Sequence, residues 1–323
     1  MITATTTGSE GAAPAGASIL IDVKGCVKWY GQVIAVNDVT FTIGPGVTGM
    51  LGPNGAGKST LFKLCTGQLK PSKGAIRVAG EEVWDNHHLF KRLGFSPEQD
   101  SFYEWMTGRE FVMSLLTLNG YSKGEAFKLA DSAIDLVGLG DERNRKVKGY
   151  SKGMRQRIKL AQAIAHNPEI LFLDEPLGGL DPVGRHHFIS LIKQWGDEGR
   201  TVVVSSHILP EVEAMTESIL LINNGRILAE GNVHQIRALI DKHPHRVLIK
   251  CSNPRGLASK LIAFEDVLNI RFDTDGSTLS FETNRPDLFY RRLPGLALEA
   301  EVEVEEISSP DDNLEAVFKY LIK

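Results

Sequence analysis

Apolar residues along this chain follow two rhythms, and the places where one gives way to the other mark the elements. Alternating or continuous apolar runs over ILIDVKG (Ile19 to Gly25), VTFTI (Val39 to Ile43) and GVTGMLG (Gly46 to Gly52) predict strands. The third runs directly into a glycine-rich loop. STLFKLCTG (Ser59 to Gly67) follows with helical spacing and a glycine at its stop, and GAIRVAG (Gly74 to Gly80) predicts another strand. From about Thr107 to Gly140 the apolar residues lie three and four apart, which predicts helices inserted into an α/β pattern. Strands return at EILFLD (Glu169 to Asp174), TVVVSS (Thr201 to Ser206) and SILLINNG (Ser218 to Gly225), with helical stretches between them. Buried strands alternating with helices predict a parallel sheet covered on both faces.

DKHPH, around Asp241 to His245, interrupts this pattern and predicts a boundary. Beyond it the order is strand (Arg246 to Cys251), helix (Pro254 to Ala263), two strands (Leu268 to Phe272 and Thr278 to Glu282) and further helix, a small α+β domain over 244–323. Near its end Glu299, Glu301, Glu303 and Glu305 alternate with Ala300, Val302 and Val304, the pattern of a strand with one solvated face rather than a cation site. Residues 1–17 are small and polar, without the basic start or apolar core of a secretory signal, and predict a disordered tail.

Composition narrows the function classes. With 40 acidic against 36 basic residues and a formal charge of -4, the chain has no strongly basic balance, which argues against nucleic acid as a partner. Cys26, Cys65 and Cys251 are too scattered for a disulfide framework or metal-ligand spacing and read as core thiols. No run approaches the ~18 consecutive apolar residues of a membrane-spanning helix, so any membrane role would act through a partner.

The chemistry begins at GPNGAGKST (Gly52 to Thr60), which satisfies G-x-x-x-x-G-K-[ST] between a predicted strand and a predicted helix. Gly52, Gly55 and Gly57, with Asn54 and Ala56 between them, let the backbone turn its N–H groups toward phosphates, and the helix opening at Ser59 and Thr60 adds its positive end. Lys58 is placed to reach the β- and γ-phosphates of ATP and Ser59 to ligate Mg²⁺. ILFLDEP ends an apolar strand on two carboxylates that would be costly to bury without partners. Asp174 is placed to hold Mg²⁺ or its water, and Glu175 to orient and polarise the water attacking the γ-phosphorus. TVVVSSH ends a further strand on His207. A histidine there is often structural, but its position after the acidic pair predicts a γ-phosphate contact.

With these motifs in view the chain resembles the ATP-binding subunits of ABC transporters over roughly Ile19 to Leu239. The resemblance extends to the ABC-2 type exporter branch through SPEQD, followed by an aromatic and TGRE, and through the ending DNLEAVFKYLI. It implies a P-loop NTPase fold with an ABC nucleotide-binding domain over 18–243, a helical insert over about 98–160, and the small α+β C-terminal domain beyond. Tyr30 in KWYG stands where the family stacks an aromatic on adenine. The family's LSGGQ signature is matched by Tyr150, Ser151, Lys152, Gly153 and Met154. Ser151 and Gly153 keep the positions that meet the γ-phosphate held by the opposite subunit, and Ser151 also suits a helix N-cap; Lys152 and Met154 depart from the family. Asp181 in GGLDP resembles the loop coupling the two sites. Glu98 in SPEQD occupies the register of a family glutamine that approaches Mg²⁺ and the water, with Gln99 one place later. Phe102, Tyr103, Trp105 and Met106 suit either a docking groove for membrane subunits or insert core.

What the resemblance implies is an ATPase with ATP and Mg²⁺ as cofactors, closing head to tail with a second copy or a related subunit. It would drive transmembrane permease subunits from the cytoplasmic face of the membrane, in the direction of export. The rival is a soluble ABC-type ATPase acting on ribosome or DNA; the first usually carries two nucleotide domains, and the second needs a long coiled coil or an extended basic surface. The C-terminal piece reads either as a stabilising cap or as a regulatory ligand site.

Overall fold

The computed structural model describes residues 20–232, 245–273 and 276–309. The tail over 1–17, most of DKHPH and the ending DNLEAVFKYLI lie outside the described residues. Among those described, two compact units separate: one of residues 20–48 and 59–204, the other of 49–58, 205–232, 245–273 and 276–309.

In the first unit β1 (Ile21–Tyr30), β2 (Val33–Ile43), β4 (Lys73–Val78) and β5 (Glu81–Glu82) form an antiparallel sheet in the order β2-β1-β4-β5. This corrects the expectation of one parallel sheet. Only Gly31 and Gln32 separate β1 from β2, and a connection that short makes a hairpin, whereas parallel neighbours need a crossover of about a dozen residues. The parallel part is elsewhere. The start of β3 (Gly46–Leu51), the start of β8 (Thr201–Ser206), β7 (Ile170–Asp174) and β6 (Leu93–Ser96) lie side by side in that order, with β6 and β7 parallel. Strand β6, LGFS, is short and contains a glycine, so its sequence carries little strand signal.

The helices of this unit are α1 (Lys58–Cys65, its first residue in the other unit), α2 (Gly108–Leu118), α3 (Lys123–Leu136), α4 (Lys152–Ile164) and α5 (Pro182–Asp197). Capping boxes open α2 (Thr107 with Glu110) and α3 (Ser122 with Glu125), satisfying N–H groups that the helix leaves without partners. Hydrogen bonds from the backbone and side chain of Thr107 hold the Glu110 carboxyl below the usual range, and those from Ser122 do the same for Glu125. Helix α4 lies close against β6 because position 94 is glycine: a Cβ there would sit 2.2 Å from the Ala163 carbonyl oxygen. Phe62 and Phe172, both buried, meet edge to face at 5.5 Å in the core.

In the second unit β9 (Ser218–Asn223) and β10 (Arg226–Asn232) form a hairpin, and the ends of β3 and β8 continue the order β10-β9-β3-β8. Helix α6 (Leu209–Glu213) buries Leu209 and Val212 against Leu51, Ile219 and Leu221. Strands β11 (His245–Cys251), β12 (Val267–Phe272), β13 (Thr278–Thr283) and β14 (Val304–Ser308) form an antiparallel sheet, β12-β13-β11-β14. Its core joins Val247, Ile249 and Phe281 to Leu257 and Leu261 of α7 (Pro254–Leu261) and to Phe289 and Leu293 of α8 (Pro286–Glu299).

The alternating glutamates are not one strand. Glu299 ends α8, and the strand starts only at Val304. Between them Glu301 adopts φ +53 and Val302 N–H returns to the Ala297 carbonyl at 2.9 Å, closing the helix as a left-handed cap that usually calls for glycine. Val302 is buried in the core of this sheet and its two helices, which explains its apolar character without strand pairing. All three cysteines are buried, as core thiols should be; burial pushes the Cys26 thiol up to about 11 and raises Cys65 and Cys251 as well. Among the described residues no helix is long and apolar enough to cross a membrane.

Candidate functional site

In the second unit the phosphate loop leaves β3 at Gly52, whose N–H donates to the Ser206 carbonyl at 3.2 Å. A Cβ at Gly52 would lie 2.3 Å from the Ile222 carbonyl oxygen, so the loop can leave the strand along this path only with glycine there. Gly55 (φ +80) and Gly57 (φ +106) take left-handed conformations that reverse the chain. Ala56 is locked between them: its N–H donates to the Pro53 carbonyl at 3.1 Å and its own carbonyl accepts from Gly225 at 2.8 Å. The Lys58 ammonium, 6% exposed, donates to the Gly52 carbonyl at 2.6 Å and the Pro53 carbonyl at 3.3 Å, and so is held across its own loop. Asn54 is exposed at the loop tip. His207 follows β8 and is exposed. The turn that carries it is fixed by the Ser206 hydroxyl, which donates to Glu211 Oε2 at 2.9 Å and accepts from Ile208 N–H at 3.1 Å.

In the first unit Ser59 and Thr60 lie half-buried in the opening turn of α1. Asp174, 2% exposed, ends β7. Glu175 follows at φ +48, a left-handed conformation that costs energy for a residue with a side chain and that the surroundings must enforce. One contact that holds this backbone comes from α4. Gln156 Nε2 donates to the carbonyls of Glu175 at 3.3 Å and Pro176 at 2.9 Å. At the start of α4 the Ser151 hydroxyl accepts from Met154 N–H at 3.2 Å, the N-cap expected of it. Gly153 faces the backbone: a Cβ there would be 3.2 Å from the Gly179 carbonyl oxygen. Asp181 caps α5 through Gly184 N–H at 3.0 Å, and Arg157 of α4 lies 3.7 Å from the same carboxylate. Tyr150 is buried, donates to the Glu142 carbonyl at 2.8 Å, and burial pushes its phenol up to about 12.

The segment after β6 is also gripped by α4. Lys159 Nζ donates to the Glu98 carbonyl at 2.6 Å and pairs with Asp100 Oδ1 at 3.1 Å; Arg155 lies 3.6 Å from Asp100 Oδ2 and 3.0 Å from Glu104 Oε1. The side chains of Glu98 and Gln99 are exposed. Phe102 is half-buried and packs edge to face on Phe111 at 5.1 Å, while Tyr103 and Trp105, 57% and 66% exposed, stand in solvent. Tyr30, at the end of β1, is 47% exposed with the Lys28 ammonium 5.4 Å from its ring centroid.

Comparison with known proteins decides the family. Residues 36–178 match the family model described as ABC transporter. The daunorubicin/doxorubicin resistance ATP-binding protein DrrA of Streptomyces peucetius is 34% identical over 300 residues, covering 92% of this chain and 91% of that protein. The chain belongs to the ABC transporter ATP-binding proteins. A second relative of this kind, the Nod factor export ATP-binding protein I of a Rhizobium strain, is 31% identical over 86% of this chain and 91% of its own length. A bacterial ABC transporter cassette solved as a dimer is 27% identical, with a TM-score of 0.62 over 66% of this chain and 99% of that one. The same cassette solved as a post-hydrolysis dimer bound to ADP and Pi is 26% identical at the same TM-score and coverage. As an ABC ATP-binding subunit the chain binds nucleotide and is an ATPase with the P-loop NTPase fold.

In this ABC subunit one helix, α4, touches most of the first unit's candidate residues. It carries Ser151 and Gly153 at its start, holds the backbone of Glu175 through Gln156, reaches Asp181 through Arg157 and holds the backbone of Glu98 through Lys159. The RQR that follows the signature (Arg155 to Arg157) fits the family resemblance, but the motifs give neither it nor Lys159 a role. A signal for some of them is present: Arg155, Lys159 and Gln162 recur along one helical face, continued by His166 just past the helix end, a polar row beside the buried Ile158, Leu160 and Ala161. Gln162 Nε2 donates to the Phe95 carbonyl at 2.6 Å and His166 Nε2 lies 2.8 Å from the Leu93 carbonyl, so the whole row is spent on β6 and the residues after it.

Proposed function

We propose that MgATP closes two such subunits head to tail, each nucleotide held by the phosphate loop of one and the signature turn of the other, and that hydrolysis reopens them to drive a separate membrane permease. The observation that carries this reading is that one chain forms both halves of such a clasp. Its phosphate loop reverses at Gly55 and Gly57 around a tethered Lys58, and its signature turn has Ser151 and Gly153 at a helix N-terminus. Both present main-chain N–H groups and a helix dipole to an anion.

The roles follow from chemistry. Lys58 and the loop N–H groups neutralise the β- and γ-phosphates; Ser151 and Gly153 complete the γ-phosphate shell from the partner; Tyr30 stacks on the base. Glu175 accepts a proton from the attacking water, His207 hydrogen-bonds the γ-phosphate, and Asp181 lies beside the paired site. Ser59 and Asp174 supply hard oxygen donors, which suit magnesium, and magnesium when bound neutralises phosphate charge. Among the described residues no group of three or more His, Cys, Asp and Glu could enclose a metal, and magnesium held chiefly by substrate phosphates needs only one or two carboxylates. Glu98 would add a further oxygen donor toward that ion when it is bound. Glu98→Gln therefore keeps ATPase activity within about tenfold of wild type in a steady-state assay, since proton abstraction rests on Glu175; a loss equal to that of Glu175→Gln would overturn this division.

Relatives matched over most of the chain are named for drug resistance and Nod factor export, which supports permease-coupled export over action on ribosome or DNA. The permease would place the chain at the cytoplasmic face of the membrane. Its docking site is assigned to Tyr103 and Trp105, large aromatic side chains that stand in solvent beside the anchored Phe102. The test is cosedimentation of the full chain with membranes containing a co-expressed permease. Tyr103→Ala/Trp105→Ala should leave the membrane pellet while binding ATP as before; undiminished sedimentation of the double variant would remove the docking assignment, and failure of the unaltered chain to sediment would remove the permease itself.

A further inference from the structure

We infer that Lys159 and Asp100 form a positioning clamp for turnover, setting where Glu98 and Gln99 stand relative to Glu175. The inference rests on the catalytic reading of Glu98 and Glu175 above. Lys159 is 4% exposed, and a lysine is seldom buried so completely unless it is paired. Its ammonium pairs with the Asp100 carboxylate at 3.1 Å and donates to the Glu98 carbonyl at 2.6 Å, so one cation grips both flanks of Gln99. Arg155, one turn earlier on α4, approaches the other Asp100 oxygen at 3.6 Å, and Gln162 holds the Phe95 carbonyl at 2.6 Å. The backbone is thereby fixed at residues 95 and 98 and the side chain at 100, while the side chains of Glu98 and Gln99 remain exposed.

The other end of the measure is on the same helix. Gln156, three residues from Lys159, holds the Glu175 and Pro176 carbonyls. The separation of the two acidic residues is thus set by a helical turn of α4 and not by the slack of the loop after β6. Stability alone gives little reason for such a device, since the Asp100 side chain is 41% exposed and a pair with one partner in solvent contributes little. Fixing a register is what a charged, directional contact does and an apolar one does not.

The test uses the full chain with Lys159→Met, Lys159→Arg, Asp100→Asn, Lys159→Met/Asp100→Asn and Glu98→Ala, measuring kcat, KM for ATP, nucleotide affinity and thermal midpoint. A misplacement of about 1 Å can cost up to about 100-fold in rate. Lys159→Met should therefore lower kcat at least about tenfold, with KM and nucleotide affinity within about twofold of wild type. Lys159→Arg should recover most of that kcat. The double variant, which removes the buried ammonium left by Asp100→Asn, should recover thermal midpoint relative to that single variant without recovering kcat. Turnover that tracks thermal midpoint across the set, or wild-type kcat in Lys159→Met, would overturn the clamp. Glu98→Ala separates the two failures. If it loses turnover while Lys159→Met does not, the clamp alone fails; if it turns over like wild type, the reading of Glu98 fails and takes the clamp with it.

Discussion

Glu175→Gln is expected to lower ATP turnover by about two to four orders of magnitude, the usual worth of a positioned general base, while leaving MgATP bound and two subunits closed upon it. Glutamine matches glutamate in size, and Gln156 holds the backbone carbonyl at 175, so the variant keeps the φ +48 turn and the fold around it. What it loses is the ability to take a proton from water. With the γ-phosphate intact, its contacts to the phosphate loop of one subunit and the Ser151 turn of the other persist, and light scattering in saturating MgATP should report twice the mass of one chain. Turnover within tenfold of wild type would end the assignment of Glu175 as the base. A chain that stays monomeric under those conditions would end the clasp mechanism itself.

Lys58→Ala is the second large effect, expected in binding as well as rate. The ammonium lies within its loop, 6% exposed and tethered to the Gly52 and Pro53 carbonyls, which on the proposed reading holds it ready for phosphate charge. A hydrogen bond to a charged group contributes roughly 1.5 to 3 kcal/mol, about 10- to 100-fold in affinity. Alanine removes that contact and also leaves two loop carbonyls without their donor, so the loop loses a brace. Titration calorimetry with ATP in the Glu175→Gln background isolates binding from hydrolysis and should show an affinity at least about tenfold weaker. Lys58→Arg should not restore it, because a planar guanidinium does not fit a loop shaped around a compact point charge. An affinity for Lys58→Ala within threefold of its parent would remove Lys58 from the phosphate site.

Part of the site is legible in the sequence because its chemistry is local. The phosphate loop needs glycine where the chain reverses, a lysine and a hydroxyl at set spacing, and a strand before and a helix after; all of this lies within residues 46–67. The same holds for Asp174 and Glu175 at the end of an apolar strand, and for Ser151 as a helix cap. Helices α2 and α3 are legible too, since their apolar spacing and capping boxes are short-range features.

Other features have no local signature. That β1, β2 and β4 pair with one another, apart from the β6–β7 pair, depends on which strand finds which, and pairing is a contact between distant residues. The end of α8 is hidden because Glu301 takes a left-handed cap that glycine usually announces. Phe102, Tyr103, Trp105 and Met106 form one aromatic-rich stretch in the sequence; packing against Phe111 sets Phe102 apart and leaves Tyr103 and Trp105 outside.

By itself, then, the order of residues determined the family, the nucleotide chemistry and most of the elements, because these rest on short-range geometry that a few residue types at fixed spacing impose. Only the tertiary structure decided which backbone segments α4 holds. Gln156, Arg157 and Lys159 are ordinary polar residues in a helix until α4 is laid beside residues 175, 181 and 98, and the direction in which a helix turns its side chains has meaning only once its neighbours are in place.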